Sequence, residues 1–292
     1  MLSIIICSRK NTIPEELSKN IDETIGCAYE LVVIDNSENK LSIFEAYNLG
    51  IEKSKGDYLC FIHDDILFHT QNWGEVVNRI FEKNKKIGLI GVAGAKSKTK
   101  IPSLWWSCPK EDKLAFLIQH IPHREIERWD SGFEKESMVE VVAIDGVFMA
   151  LKKDCRIRFN SEMKGFHNYD SNLSIECKKL EYKIVVTNAI LIEHFSLGTI
   201  KGEWLESSYE FYTLYKKGLP LYLENDKFNR KQETANAIWF INECLKFKKY
   251  NIALMVWREL FCLNPLLLFH VIYWKNNFKN NIHLLIEYFQ IK

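Results

Sequence analysis

The stretch Lys55-Gly-Asp-Tyr-Leu-Cys-Phe-Ile-His-Asp-Asp-Ile66 runs an apolar segment straight into two adjacent carboxylates. Tyr58 to Ile62 reads as a buried strand, apolar and bounded by polar residues on both sides. Asp64 and Asp65 then stand at its carboxyl end, where open α/β sheets hold their ligands. Two ionised neighbours repel, and a site that keeps both charged supplies a cation or strong donors to offset the repulsion. A solvated Asp-Asp turn accounts for the pair without any ligand. The sequence on either side favours the ligand site.

Strand and helix signals alternate around this stretch. Leu2 to Cys7 is a short apolar strand. Thr12-Ile-Pro-Glu15 reads as a capping box opening a helix whose Leu17, Ile21 and Ile25 recur at four-residue spacing. Glu30 to Ile34 forms a second buried strand ending at Asp35-Asn-Ser37, and a helix over Ile43 to Lys53 returns the chain to the strand at 58–62. Trp73, Val76, Val77, Ile80 and Phe81 mark one face of a further helix, and Ile87 to Val92 gives a fourth strand. The pattern predicts a doubly wound α/β domain.

From Ala95 to Ser137 the periodicity lapses, and the segment carries Trp105, Trp106, Pro109, Pro122, His123 and Trp129. Such an insertion is either a lid or binding loop, or a set of aromatics packed on the sheet. Val139 to Ile144 and Val147 to Leu151 resume as strands around Asp145-Gly146. A helix over Ser171 to Lys179, a strand over Lys183 to Thr187 and an apolar run ending at His194 follow. Beyond Gly202 the signals are helical, which predicts a boundary near residue 200 between a domain at 1–200 and a helical domain at 201–292. Tyr250 to Pro265 is similar to one tetratricopeptide helix, but such repeats stack in series and a single copy makes no array.

Composition narrows the function classes. The 292 residues are 47% hydrophobic, enough for a sizeable core. Thirty-nine basic against 38 acidic residues leave a net charge of +1. That balance gives no bulk field to recruit nucleic acid, so phosphate binding has to be local. The eight cysteines form no CxxC pair, and several lie in apolar runs as free core thiols do, which suits a reducing cytoplasm. Met1 to Cys7 has no basic leader, so no targeting segment is expected. Leu260 to Trp274 is interrupted by Asn264, Pro265 and His270 and falls short of the ~20 residues that span a bilayer. Trp239, Phe240, Trp257, Phe261 and the run from Leu266 to Trp274 are more apolar surface than a small helical domain hides. They lead us to expect self-association through the C-terminal helices, or peripheral membrane or acceptor contact.

Ser3-Ile-Ile-Ile-Cys-Ser8, Val32-Val-Ile-Asp-Asn-Ser37, Gly56 to Asp65 and Gly165-Phe-His-Asn-Tyr-Asp-Ser-Asn-Leu-Ser174 can be read together. In order and spacing they resemble the inverting glycosyltransferases of family 2. The resemblance spans roughly residues 1 to 200 and is closest to a bacterial branch whose metal motif keeps a histidine. It implies the GT-A fold, a nucleotide-sugar-binding mixed sheet between helices. It also implies transfer of one sugar from a nucleotide diphosphate sugar, a UDP-sugar above others, to a hydroxyl of a saccharide or lipid-linked acceptor. The cofactor it implies is a divalent cation, Mn²⁺ or Mg²⁺.

Carried over position by position, the resemblance puts Ser8, Arg9, Asp35, Asn48, His63 and Asp64 on the donor. Asp35 would hold the base or ribose, as its acceptor oxygens allow, although Asp-Asn-Ser is also a good turn. Asp65 takes the metal position of the Asp-x-Asp motif, with His63 in place of its first carboxylate. His194 is the second candidate metal ligand, and an imidazole among oxygens suits Mn²⁺ better than Mg²⁺. Asp170 matches the catalytic carboxylate that takes the acceptor proton, and it is equally placed to cap the following helix. Asp145 and Gly146, with Trp105 and Trp106, fall on the acceptor side.

Three other readings compete. A sugar-nucleotide nucleotidyltransferase would carry a glycine-rich basic loop after the first strand, where this chain has Cys7-Ser-Arg-Lys-Asn11. A Rossmann dehydrogenase would need GxGxxG, and Gly88, Gly91 and Gly94 have the wrong spacing. A GT-A domain whose altered metal motif binds a nucleotide sugar without turnover is the non-catalytic alternative, separated from catalysis by metal-dependent transfer.

Overall fold

The computed structural model describes residues 1–224 and 228–266. The expected apolar run from Leu266 to Trp274 lies, beyond Leu266, outside the described residues. Two compact units emerge. The first joins Met1–Ser97 to Cys108–Gly198, and the second joins Lys98–Ser107 to the chain from Thr199 onward.

The first unit begins β1 (Leu2–Ser8), α1 (Glu15–Thr24), β2 (Tyr29–Asp35), α2 (Ile43–Lys53), β3 (Tyr58–Ile62), β4 (Ile66–Phe68), α3 (Trp73–Lys83), β5 (Ile87–Gly91) and β6 (Ala93–Ala95). A two-residue strand β7 (Ser97–Lys98) marks the crossing into the second unit. The first unit resumes with β8 (Lys113–Gln119), β9 (Glu127–Ser131), β10 (Met138–Val141), β11 (Ala143–Ile144) and β12 (Phe148–Lys152). It closes with α4 (Tyr169–Lys179), β13 (Lys183–Thr187) and β14 (Ile192–His194).

Seven strands form the main sheet in the order β10-β13-β5-β12-β3-β1-β2. β1 runs parallel to β2 and β3, as the βα repeats dictate, but β12 enters antiparallel between β3 and β5. The sheet is therefore mixed rather than purely doubly wound. Its centre is apolar throughout: Ile4, Ile5, Ile6, Phe61, Ile62, Leu89, Ile90 and Met149 are fully buried. α2 packs close on β1, since a Cβ on Gly50 would stand 2.3 Å from Ile5 Cγ2.

The second sheet runs β11-β6-β8-β14-β4, with β9 on β8. It corrects two expectations. Residues 95–137 are not irregular throughout, because β8 and β9 pair antiparallel within them. The strand expected over Val139 to Ile144 breaks after Val141, β10 staying in the main sheet while β11 pairs with β6 in the second. The capping box also sits elsewhere. α1 is preceded by Pro14 with no side-chain cap, whereas Ser42 and Glu45 make both reciprocal bonds at the start of α2.

The second unit holds α5 (Gly202–Tyr215), a short strand β15 (Leu221–Tyr222), α6 (Arg230–Lys246) and α7 (Tyr250–Leu263). Trp204, Leu205, Phe240, Ile241, Val256, Trp257 and Leu260 form its core, together with Ile101 of the 98–107 segment. Glu233, fully buried in α6, accepts from the amides of Lys100 and Ile101 at 2.7 and 3.1 Å, and Asn236 donates to Thr99 Oγ1. The segment is thus tied to this unit by apolar contact and by satisfied polar groups. Among the described residues, no helix is long and apolar enough to cross a membrane.

Candidate functional site

The site grows from the end of β3. Ile62 is buried in the sheet, and the next three residues, His63-Asp64-Asp65, bridge to β4 before Ile66 is buried again. β14 pairs antiparallel with β4, which sets His194 opposite Ile66, and the Phe195 amide donates to the Asp65 carbonyl at 3.0 Å. Backbone pairing therefore brings together residues 131 positions apart.

His63, Asp65 and His194 converge, their ligand atoms all within 4.8 Å of one another. His63 Nδ1 lies 3.4 Å from His194 Nε2, and Asp65 Oδ1 lies 3.8 and 3.6 Å from those two nitrogens. A point equidistant from three such atoms is about 2.1 Å from each, the length of a metal–nitrogen or metal–carboxylate bond. His194 keeps 11% of its side chain accessible, against 32% for His63 and 34% for Asp65, so the group is anchored on one side and open on the other. The donor set fits a divalent ion.

Neighbouring groups fix both imidazoles. Gln119, in β8, donates from Nε2 to the carbonyls of His120 and Ser196 at 2.9 and 2.7 Å. That turns its Oε1 toward His194 Nδ1, at 3.0 Å. His194 must then donate from Nδ1, leaving the Nε2 lone pair facing the centre. The Tyr169 hydroxyl sits 2.6 Å from His63 Nε2. Desolvation and the facing His194 imidazole hold His63 below its ordinary pKa, so its ring stays neutral. Burial would raise the Asp65 carboxyl, but its contacts with His194 and Ser196 outweigh that and hold it well below its usual range.

The remaining sequence-derived residues stand at strand ends, in helices and in loops. Asp64 is half-buried between His63 and Asp65. Ser8 and Asp35 end β1 and β2 in register with each other. Ser8 is buried, its Oγ donating to the Thr12 carbonyl; Asp35 is exposed and accepts from the Ser37 amide at 2.9 Å, while Arg9 is exposed. Asn48 makes a two-way pair with Phe159, donating to its carbonyl at 2.8 Å and accepting from its amide at 2.9 Å. That tie fastens α2 to the loop before α4. Asp170 is half-buried in the first turn of α4, where a carboxylate favours the helix dipole, and accepts from the Ser171 amide. Asp145 accepts from the Val147 amide at 2.8 Å beside the β3 end. Trp105 and Trp106 belong to the second unit, the first buried and the second 43% exposed, with rings 5.3 Å apart.

Two site residues escape sequence reasoning. Tyr169 precedes Asp170 in the sequence, and that position is its only sequence signal. Gln119 lies in the segment that read as irregular. His63, assigned to the donor by resemblance, stands with Asp65 and His194.

A glycosyltransferase-like family matches residues 3–195, about two thirds of the sequence. The chain belongs to that family. Its first unit has the GT-A fold. GalNAc-T7, solved with UDP, GalNAc and Mn²⁺, is similar to it at a TM-score of 0.52 and 11% identity, over 74% of this chain and 48% of that one. The chain thus spans about half the length of GalNAc-T7. TarS 1–349 of S. aureus, solved with UDP-GlcNAc, is similar at a TM-score of 0.47 and 12% identity, over 84% of this chain and 73% of that one. Among curated proteins none matches.

Proposed function

We propose that this family member moves one sugar from a UDP-sugar to a hydroxyl of a saccharide or lipid-linked acceptor, with inversion at the anomeric carbon. The observation that carries the reading is the convergence of His63, Asp65 and His194 at the β3 end, with the Tyr169 hydroxyl on His63 and Asp170 the next residue in α4. GalNAc-T7, which shares the fold, holds UDP and Mn²⁺.

Asp35 and Ser8, at adjacent strand ends, receive the nucleoside, with Arg9 and Asp64 toward the phosphates and sugar. A divalent ion held by His63, Asp65 and His194 would supply positive charge at the leaving diphosphate. Asp170 is the base. As the acceptor oxygen forms its bond to the anomeric carbon, its proton passes to the Asp170 carboxylate. The carbon–oxygen bond to the diphosphate breaks on the opposite face, and the electron pair leaves with the nucleotide. Asp145 and Gly146, beside Tyr169, border the acceptor.

Asp170→Asn tests this assignment. It keeps the size of the side chain and removes the basic lone pair, so donor affinity by calorimetry should be unchanged while transfer falls by about 10²- to 10⁴-fold. Retained transfer would mean that another group takes the proton. Loss of donor binding together with transfer would make Asp170 a structural support.

A further inference from the structure

We propose that β9 forms an acceptor subsite, in which the Trp129 ring stacks on a pyranose of an uncharged oligosaccharide and Glu127 accepts from that sugar's hydroxyls. The inference rests on the reading of the β3 end as a sugar-transfer site and names a class of acceptor for it.

Strand register places the pair. β8 runs parallel to β14, with Gln119 beside His194, and antiparallel to β9, with Gln119 beside Glu127. Residues 117 to 119 of β8 pair with both neighbours, so β14 and β9 lie on its two sides. His194, Gln119 and Glu127 therefore form one row across three strands. Paired side chains share a face of a sheet. The contact between Gln119 Oε1 and His194 Nδ1, at 3.0 Å, marks this face as the one that carries the candidate centre. Two strand spacings put the backbone of Glu127 about 10 Å from that of His194. Trp129, two residues on, points to the same face, while Arg128 points to the other and lies over the Phe116 ring, 5.4 Å from its centre.

The chemistry of the pair names the ligand. β9 reads Glu127-Arg-Trp-Asp-Ser131, and none of its five residues is fully buried. Among the described residues it pairs with β8 alone, so the row opens outward at Glu127. Trp129 stands half-buried opposite Leu117, and its Nε1 donates to Glu127 Oε2 at 2.8 Å. Cross-strand packing on Leu117 explains the buried part of the ring but not the exposed carboxylate fastened to its edge. A pyranose uses both groups. The C–H bonds on one face of the sugar carry partial positive charge and rest on the negative face of an aromatic ring. Its hydroxyls donate to a carboxylate, which only accepts. The Glu127 charge repels phosphate, sulfate and uronate groups, so the sugar taken is uncharged. At this distance from His194 the subsite holds a sugar further along the acceptor than the one that receives the transferred residue.

The test is binding of the full-length protein, with Mn²⁺ and UDP, to an array of immobilised oligosaccharides that includes neutral, sulfated and uronate-containing chains. Calorimetry with the best-bound neutral chain follows. The parent should hold neutral chains of two or more sugars in preference to anionic ones. Trp129→Ala should weaken that binding by about 10- to 100-fold and Glu127→Gln by about 10-fold, with UDP affinity in Mn²⁺ as in the parent. Glu127 is exposed, so its variant keeps the test available if Trp129→Ala fails to fold. A parent that binds no neutral chain or prefers anionic ones, or a folded variant that binds as the parent does, would overturn the inference. Metal-dependent transfer alongside indifferent variants would defeat the subsite and leave the proposed reaction standing. Neutral-chain binding that both variants weaken, in a protein that releases no UDP from any UDP-sugar, would uphold the subsite and defeat the reaction instead.

Discussion

Gly146 leaves room for Tyr169. A Cβ built on it would stand 2.3 Å from the Tyr169 hydroxyl oxygen, and that hydroxyl sits 2.6 Å from His63 Nε2. The added methyl of Gly146→Ala therefore has to push Tyr169 away from His63, with a packing penalty of about 1–3 kcal/mol. We expect a lower unfolding midpoint in denaturant and a weaker response of that midpoint to Mn²⁺, both read from one titration with and without the ion. A variant as stable and as metal-responsive as the parent would separate Gly146 from the site. At this scale the sequence displays the candidate site residues better than the residues that support them. Asp65, Asp170 and His194 stand out because they put acidic or imidazole chemistry at strand and helix ends in an ordered series. Tyr169 and Gln119 look like ordinary core and strand residues until the partner imidazoles are in place.

The start of α2 shows what an element owes to its first turn. Ser42 Oγ accepts from the Glu45 amide, and the Glu45 carboxylate accepts from the Ser42 amide and hydroxyl. Lys164 pairs with the other Glu45 oxygen, and the Ile43 amide donates to Gly165, so the cap is joined to the loop that leads into α4 and Asp170. Ser42→Ala should cost about 1 kcal/mol in chemical denaturation. Glu45 is pulled down to about 2 by the hydrogen bond from Lys164 first and by those from Ser42 next. A carboxyl depressed in the folded state contributes stability that is fully present above its unfolded value. That contribution is lost as the pH falls toward about 2. Stability should therefore drop between roughly pH 5 and pH 2, less steeply in Glu45→Gln than in the parent; equal slopes would leave Glu45 outside the acid transition. The same motif explains a misreading. Thr12 and Glu15 have the spacing of a capping box as well as Ser42 and Glu45 do, and local pattern does not decide between them. In the fold, the Thr12 carbonyl accepts from Ser8 Oγ and α1 starts behind Pro14. β8 is not legible for a related reason, since β14, which lies beside it in the second sheet, is more than seventy residues away.

Across the whole molecule, the parallel βα repeats were legible because each strand is a short apolar run bounded by turn residues. The antiparallel entry of β12 was not, because nothing local distinguishes a strand that pairs with β3 and β5 from one that extends the sheet edge. The grouping of Lys98–Ser107 with the helices after Thr199 is likewise a long-range fact, made by Ile101 in the apolar core and by Glu233 on amides 132 and 133 positions away. The family match over residues 3–195 covers the first unit, where the candidate site lies. The claim that this unit is a metal-dependent sugar transferase is tested most directly by release of nucleoside diphosphate from a panel of nucleotide sugars. The assay would use Mn²⁺ and a saccharide acceptor mixture, with the parent and Asp65→Asn compared. The account predicts UDP release by the parent, abolished by chelation and reduced by about 10²-fold or more in the folded variant. No release from any UDP-sugar, or release that Asp65→Asn and chelation leave unchanged, would contradict it.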